Sequence, residues 1–205
     1  MYIEIISLND LCILLSLETH KNISYHKNER SEYNEEGKTM FDITRLSSCY
    51  TVRLMKDSDA DSILDFCLQN SQYYQYCGKQ PSRELILNDL RITPPGIEMS
   101  SKYYVGFYDN TVLVAIMDLI NGYPDSDSGY IGFFMMNKQL QGNQIGSGII
   151  QEVCQYLKGM GITTVLLGID KGNPQSNHFW KKNGFLVIKE VEQDAGTVLV
   201  AKKTL

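Results

Sequence analysis

The sequence predicts a mixed α/β (α+β) domain built on a mostly antiparallel sheet, and three observations support this fold class. Apolar patterns typical of strands and of helices alternate along the chain from residue 50 onward. Three strand patterns follow one another directly between residues 103 and 136, which favours antiparallel pairing. A glycine-rich loop then leads into the longest helical pattern, so the next strand returns through a crossover.

Composition excludes several classes of protein. The chain has 205 residues, a formal charge of −5 and a pI near 5.2, which argues against nucleic acid as the main partner. Residues 2–17 are apolar but carry acidic residues and lack a basic start, so we expect neither a signal peptide nor a membrane span. The five cysteines and three histidines are scattered, which predicts no disulfide framework, no metal site and a reducing cytoplasm.

The first 48 residues differ from the rest of the chain. An apolar stretch with a helical pattern near residues 8–17 is followed by a polar run at 20–38. We expect residues 1–48 to be an N-terminal extension, partly helical and linker-like, and residues 49–205 to form the folded domain. Met40 is an alternative start of the chain.

The predicted domain begins with a strand at 51–55, where apolar and polar residues alternate. Acidic and serine residues then supply N-cap candidates for a helix at 60–70. A second helix spans 83–92, and the prolines that follow end it. Strands at 103–108, 111–120 and 129–136 come next, and an Asp-Asn turn joins the first two.

The second half of the domain alternates helices and strands. A helix at 145–160 carries apolar residues at helical spacing, and a buried strand follows at 163–169. A short helix at about 176–183 ends before a glycine, a residue that often terminates helices. The last two strands, 185–191 and 197–202, pair across a tight turn.

The loop before the long helix is a candidate phosphate site. A helix that starts after a glycine-rich loop points its free N–H groups and its positive dipole end into that loop. A Walker loop requires Lys-Ser/Thr after its last glycine, but Gly148 is followed by Ile149. A dinucleotide fingerprint requires a third glycine where this chain has Gln151. Neither nucleotide motif is complete.

Two segments resemble the GCN5-related N-acetyltransferase (GNAT) family. The stretch Gln141-Gly142-Asn143-Gln144-Ile145-Gly146 is similar to its signature Gln/Arg-x-x-Gly-x-Gly/Ala, with Gln144 in place of the first signature glycine. The stretch from Asn173 to Gly184-Phe185 keeps the spacing of a second family motif, with Trp180 where members carry tyrosine. The resemblance covers residues 50–203. It implies a seven-stranded sheet, splayed between its fourth and fifth strands and flanked by about four helices.

The resemblance implies transfer of an acetyl group from acetyl-CoA to the primary amine of a small molecule or peptide by direct attack. It places the diphosphate on the loop and the acyl arm on the backbone of the fourth strand, near a potential oxyanion hole. The cofactor-binding residues expected on this basis are Phe134, Met135, Met136, Gln141, Gly142, Asn143, Gln144, Ile145, Gly146, Ser147, Asn173 and Trp180.

Asp118 is the candidate base because it interrupts an apolar strand, although it could instead accept a hydrogen bond in the next turn. Glu98 is a weaker candidate. An indole cannot release its proton at useful cost, so Trp180 cannot replace the family's tyrosine acid. Tyr123 or Tyr130 could supply that proton, as could water or the ammonium intermediate.

The acceptor is expected between the first two helices and the last hairpin. Tyr73, Tyr74 and Tyr76 cluster there and could bind a cation, although scattered surface tyrosines are a plainer interpretation. A homodimer is an open alternative to a monomer. The departures at Gln144 and Trp180 also leave a second function open, a non-catalytic CoA-binding or regulatory module on the same fold.

Overall fold

The computed structural model of the protein describes residues 2–3, 41–76, 80–193 and 196–205. The helix expected near residues 8–17 and the polar linker of the predicted extension lie outside the described residues. Two residues of the last hairpin turn, 194–195, also lie outside them.

Within this part of the chain, one mixed sheet contains all the strands. Seven of them run in the order β2-β3-β4-β5-β6-β8-β7, and the short β1 pairs with β5. Every pairing is antiparallel except that of β5 with β6. The predicted seven-stranded sheet is confirmed. Its strands are β1 (Tyr2–Ile3), β2 (Thr51–Leu54), β3 (Lys102–Asp109), β4 (Val112–Asn121), β5 (Ser128–Met136), β6 (Thr164–Asp170), β7 (Leu186–Gln193) and β8 (Gly196–Thr204).

Four longer helices and one short helix flank the sheet in the described ranges. They are α1 (Ala60–Leu68), α2 (Ser71–Tyr74), α3 (Arg83–Arg91), α4 (Ile145–Gly159) and α5 (Pro174–Lys182). Helix α5 starts two residues before its predicted start because Asn173 caps it and Pro174 suits the first helical position. None of the described helices is long and apolar enough to cross a membrane.

The side chains of β5 alternate between two apolar clusters on opposite faces of the sheet. Phe134 and Met136 pack in the cluster that contains the buried residues of α4 and α5. Phe133 and Met135 pack in the cluster that contains those of α1 and α3. Strand β5 is therefore buried on both faces and lies at the centre of the domain.

Residues 41–48, part of the predicted extension, pack against the domain. Leu46 is fully buried in the cluster beside α4. The Asp42 N–H donates to Tyr156 Oη at 2.7 Å, and Ser47 Oγ donates to Glu152 Oε2 at 2.6 Å. Helix α4 thus holds residues 41–48 against the domain. The domain boundary at residue 48 stays a prediction.

Candidate active site

Strands β5 and β6 pair over only part of their length. Residues 128–131 pair with residues 164–167, and the later residues of the two strands do not pair with each other. The sheet therefore splits between the distal halves of these two neighbouring strands, and we call this gap, in which β1 pairs with β5, the cleft. This opening is the predicted splay of the fourth and fifth strands.

A β-bulge lies where the two strands part. On β4, Asp118 pairs with Phe133, while the next residue, Leu119, pairs with Ile131. Gly132 is the extra residue, and a bulge of this kind bends the strand that carries it. Since Ile131 makes the last β5–β6 pair, the bulge accounts for the departure of β5 from β6.

The distal half of β5 forms one wall of the cleft. Phe134, Met135 and Met136 are buried, and β4 pairs with their backbone on one side. On the other side β1 pairs antiparallel with the same strand, Tyr2 with Met135 and Ile3 with Phe134. The strand edge predicted to hold the cofactor arm can therefore pair with an extended chain.

The Gln141 side chain anchors the loop that follows β5. Its Nε2 donates to Asn70 Oδ1 at 2.9 Å and to the Met136 carbonyl at 3.2 Å. Asn70 is fully buried, and its Nδ2 donates to the Phe66 carbonyl at 3.0 Å. The side chain of Gln141 thus ties the loop to α1 and to the end of β5. Its backbone is the part available to a ligand.

The turn into α4 uses two left-handed residues. Gly142 has a φ of 84° and Gln144 a φ of 63°. The position of the first signature glycine therefore does require a positive φ, and here a glutamine adopts it. The side chain of Gln144, the N-cap residue, makes no capping hydrogen bond to α4. Asn143 is exposed, Ile145 and Ser147 are half-buried, and Gly146 is buried.

Helix α5 and its N-cap residue carry three buried polar atoms that have no hydrogen-bond partner among the described residues: Asn173 Nδ2, Ser176 Oγ and Trp180 Nε1. The three residues lie on one stripe because positions three and seven apart share a helix face. Asn173 also caps the helix, since its Oδ1 accepts from the Ser176 N–H at 3.0 Å. Buried polar groups normally have partners, so this stripe fits a polar ligand such as the arm of CoA.

Trp180 is fully buried beside the wall of the cleft. Its ring centroid lies 6.3 Å from that of Phe134 on β5 and 4.8 Å from that of Phe185. Helix α5 also contacts β1, which pairs with the same part of β5. Helix α5 therefore lines the cleft. The tryptophan at the family's tyrosine position packs between the helix and the strand.

Asp118 forms a buried ion pair beneath the bulge. Lys102 Nζ donates to its Oδ2 at 2.6 Å, and a side chain added at Gly132 would meet that oxygen at 3.0 Å. Burial raises the pKa of Asp118, and the charge and hydrogen bond of Lys102 oppose that rise. The carboxylate therefore lies where β5 leaves β6. It is a partner of Lys102 rather than of the following turn.

The other predicted residues differ in burial. Tyr123 and Tyr130 are buried and meet edge to face, with ring centroids 5.6 Å apart. Tyr73 is buried, and its ring centroid lies 6.2 Å from that of Phe133. Tyr74 and Tyr76 are half-buried. Glu98 is exposed and precedes a 3-10 turn. No group of His, Cys, Asp and Glu in the described ranges could hold a metal ion.

Sequence reasoning missed Asn70, Lys102 and Ser176. The charge of Lys102 is visible in the sequence, but its pairing with Asp118 depends on the register of β3 and β4. Ser176 had a signal, since it replaces the alanine of the family's second motif. Asn70 had no signal in the sequence pattern.

Similar solved structures support this architecture. An acetyltransferase from Thermus thermophilus aligns with a TM-score of 0.62 at 17% identity, over 76% of this chain and 97% of that one. The aminoglycoside acetyltransferase AAC(6')-Ib in complex with coenzyme A aligns with a TM-score of 0.60 at 14% identity, over 76% and 94%. PaiA N-acetyltransferase from Thermoplasma acidophilum, in complex with coenzyme A, aligns with a TM-score of 0.55 at 17% identity, over 76% and 99%.

The fold and the split sheet are those expected of an acetyltransferase. The model of the acetyltransferase (GNAT) family matches residues 66–185, which is more than half of the chain. The chain belongs to the GNAT acetyltransferase family. A comparison with curated proteins gave no match.

Proposed function

We propose that the protein transfers an acetyl group from acetyl-CoA to the primary amine of a small molecule or peptide by direct attack. The observation that carries the proposal is the cleft opened by the Gly132 bulge. This cleft is surrounded by the N-terminus of α4, whose N-cap residue makes no side-chain cap, by the distal edge of β5 and by the buried donors at the start of α5.

The cofactor would bind along three features of the chain. The backbone N–H groups at the start of α4, with the Ser147 hydroxyl, suit a diphosphate because the helix dipole favours an anion there. The backbone of Phe134–Met136 suits the amides of the arm, and a backbone N–H there could polarise the thioester carbonyl. Asn173 Nδ2 can donate to a carbonyl of the arm. Acetyl-CoA supplies the activated acyl group.

The amine must lose a proton before or during attack, since an alkylammonium has a pKa of about 10. We assign this proton to Asp118. A pKa raised by burial makes its carboxylate a stronger base, and Lys102 favours the ionised form. Tyr130 lies two residues before the bulge on β5 and packs against Tyr123. Both tyrosines remain candidates for proton transfer on the acceptor side.

The proposed acceptor is cationic in solution. A structure of AAC(6')-Ib in complex with ribostamycin and coenzyme A also shares this fold, at 13% identity and a TM-score of 0.61. That similarity supports a small-molecule amine, and the charge of −5 favours attraction of a cation. Half-buried Tyr74 and Tyr76 could contact such a ligand.

A second candidate function is a CoA-binding module without turnover. The strained Gln144 and the buried Trp180 favour it, because both stand where the family motifs carry other residues. Thiol release from acetyl-CoA over a panel of primary amines separates the two functions. We expect turnover with at least one amine and its loss in Asp118→Asn. Binding of CoA without turnover on any amine would support the module, and absence of CoA binding would contradict both proposals.

A further inference from the structure

The Ser176 hydroxyl is an unpartnered group inside the fold. The residue is fully buried, and its Oγ has no hydrogen-bond partner among the described residues. A serine in a helix usually bonds to the carbonyl one turn earlier, and Ser176 does not. In a capping box the side chain at this position, normally Glu or Gln, reaches back to the N–H of the capping residue. Here that N–H, of Asn173, donates to the Asp170 carbonyl at 3.0 Å.

Helix geometry directs Ser176 towards the cleft. At about 100° per residue, Ser176 lies between Phe179 and Trp180 around the helix axis, about 60° from the first and about 40° from the second. Both aromatic rings pack against Phe134 of β5, at centroid distances of 6.1 and 6.3 Å. Ser176 therefore faces the same wall as they do, one turn nearer the start of α5.

We propose that Ser176 donates a hydrogen bond to the sulfur of the cofactor and stabilises the leaving thiolate. The inference rests on the proposed function. Trp180 occupies the position of the family's tyrosine, and its indole N–H cannot supply a proton. Ser176 precedes it by four residues on the same face, and a hydroxyl can both donate and accept.

The transfer balances without ionisation of the serine. The amine nitrogen forms the C–N bond, the C–S bond breaks, and sulfur keeps the bonding pair. The ammonium form of the acceptor first loses one proton to Asp118, and the second proton, which nitrogen loses on attack, ends on sulfur. Ser176 donates its hydrogen bond as charge develops on sulfur, and a charge-assisted bond is stronger than a neutral one.

Two ligands that differ only in the thiol group test this assignment. CoA and desulfo-CoA, which lacks the thiol, are titrated calorimetrically into the wild-type chain, Ser176→Ala and Ser128→Ala. Ser128 is a matched control because it is also a buried serine, at the far end of β5 from the cleft. We expect the wild type and Ser128→Ala to bind CoA about fivefold more tightly than desulfo-CoA. Ser176→Ala should bind the two ligands equally.

Two further readouts separate this role from a structural one. Ultraviolet absorbance of the thiolate should show a lower pKa for the thiol of bound CoA in the wild type than in Ser176→Ala. Without ligand, Ser176→Ala should melt no lower than the wild type, because the substitution removes a buried hydroxyl that lacks a partner. A large loss of stability instead would indicate a structural hydroxyl and contradict the proposal.

The outcomes also separate this proposal from the proposed function. If CoA does not bind to the wild type, the proposed function fails. If CoA binds but Ser176→Ala weakens CoA and desulfo-CoA by the same factor, or weakens neither, the contact with sulfur is wrong while the proposed function stands.

Discussion

Lys102 Nζ lies 2.6 Å from Asp118 Oδ2, and both side chains are at most 2% exposed. Burial of two charges is costly, so such a pair contributes little net stability, but loss of one partner leaves the other charge unpaired. The pair lies beneath the Gly132 bulge, where the sheet opens. It is therefore the main electrostatic feature at the point where we place the chemistry.

A double-mutant cycle tests this pair. Asp118→Asn and Lys102→Met should each lower the free energy of unfolding by about 3–5 kcal/mol, because each leaves one buried charge unpaired. The double variant should recover most of that loss. Urea unfolding at neutral pH measures all four proteins. Small, additive effects of the two substitutions would contradict a buried ion pair.

The same carboxylate predicts a pH dependence of stability. Burial raises the pKa of Asp118 above its ordinary 3.8, so in the window above 3.8 the folded protein keeps a proton that the unfolded chain releases. The contribution of Asp118 to stability is therefore full below 3.8 and is lost as pH rises through the raised pKa. Unfolding measured from about pH 4 to pH 7 should show this fall in the wild type relative to Asp118→Asn. Parallel curves would contradict the raised pKa.

Gln144 has a left-handed backbone conformation, so we predict that glycine at this position stabilises the protein. A non-glycine residue in this conformation costs about 1–2 kcal/mol, part of which glycine recovers despite its greater freedom in the unfolded chain. Gln144→Gly should therefore raise the free energy of unfolding by about 0.5–1 kcal/mol and keep the backbone N–H for a ligand. The neighbouring Asn143→Gly, at an exposed position without a positive φ, is the control and should not stabilise. Equal effects of the two substitutions would contradict the strain.

Tyr2 and Ile3 of β1 pair with the β5 edge on which we place the acyl arm of the cofactor. We therefore predict that β1 and the cofactor compete for this edge. Proline lacks the N–H that a strand ladder uses. The full chain with Tyr2→Pro and Ile3→Pro should bind acetyl-CoA more tightly than the chain with alanine at both positions. Calorimetry gives both affinities. Equal affinities would show that β1 and the arm do not share the edge.

Much of the fold could be predicted from sequence, because periodicity determines element type and two motifs fix the order. The Lys102–Asp118 pair could not. Counting back from the pairing of Asp109 with Val112 places Tyr103 opposite Asp118, with Lys102 on the other face. A bulge after Phe107 shifts the register, so Tyr104 faces Asp118 and Lys102 joins its side of the sheet.

Tertiary contacts account for the rest of what the sequence did not predict. Asn70 meets Gln141 from 71 positions earlier in the chain, and no local pattern predicts a contact of that range. The replacement of alanine by Ser176 is visible in the sequence, but only the packing of Phe179 and Trp180 on Phe134 shows which way the hydroxyl faces. The candidate loop and strand could thus be placed in advance, whereas the polar partners around the cleft could not.

Binding of acetyl-CoA to the start of α4 is the most direct test of the account. Ser147 lies in the first turn of α4. An acidic side chain there interacts favourably with the helix dipole and so stabilises the helix, but it repels a diphosphate. Ser147→Gln is the neutral control of similar shape. The melting temperature of the wild type and of Ser147→Gln should rise with acetyl-CoA, whereas Ser147→Glu should fold stably and show no rise. No rise in the wild type, or an equal rise in Ser147→Glu, would contradict the account.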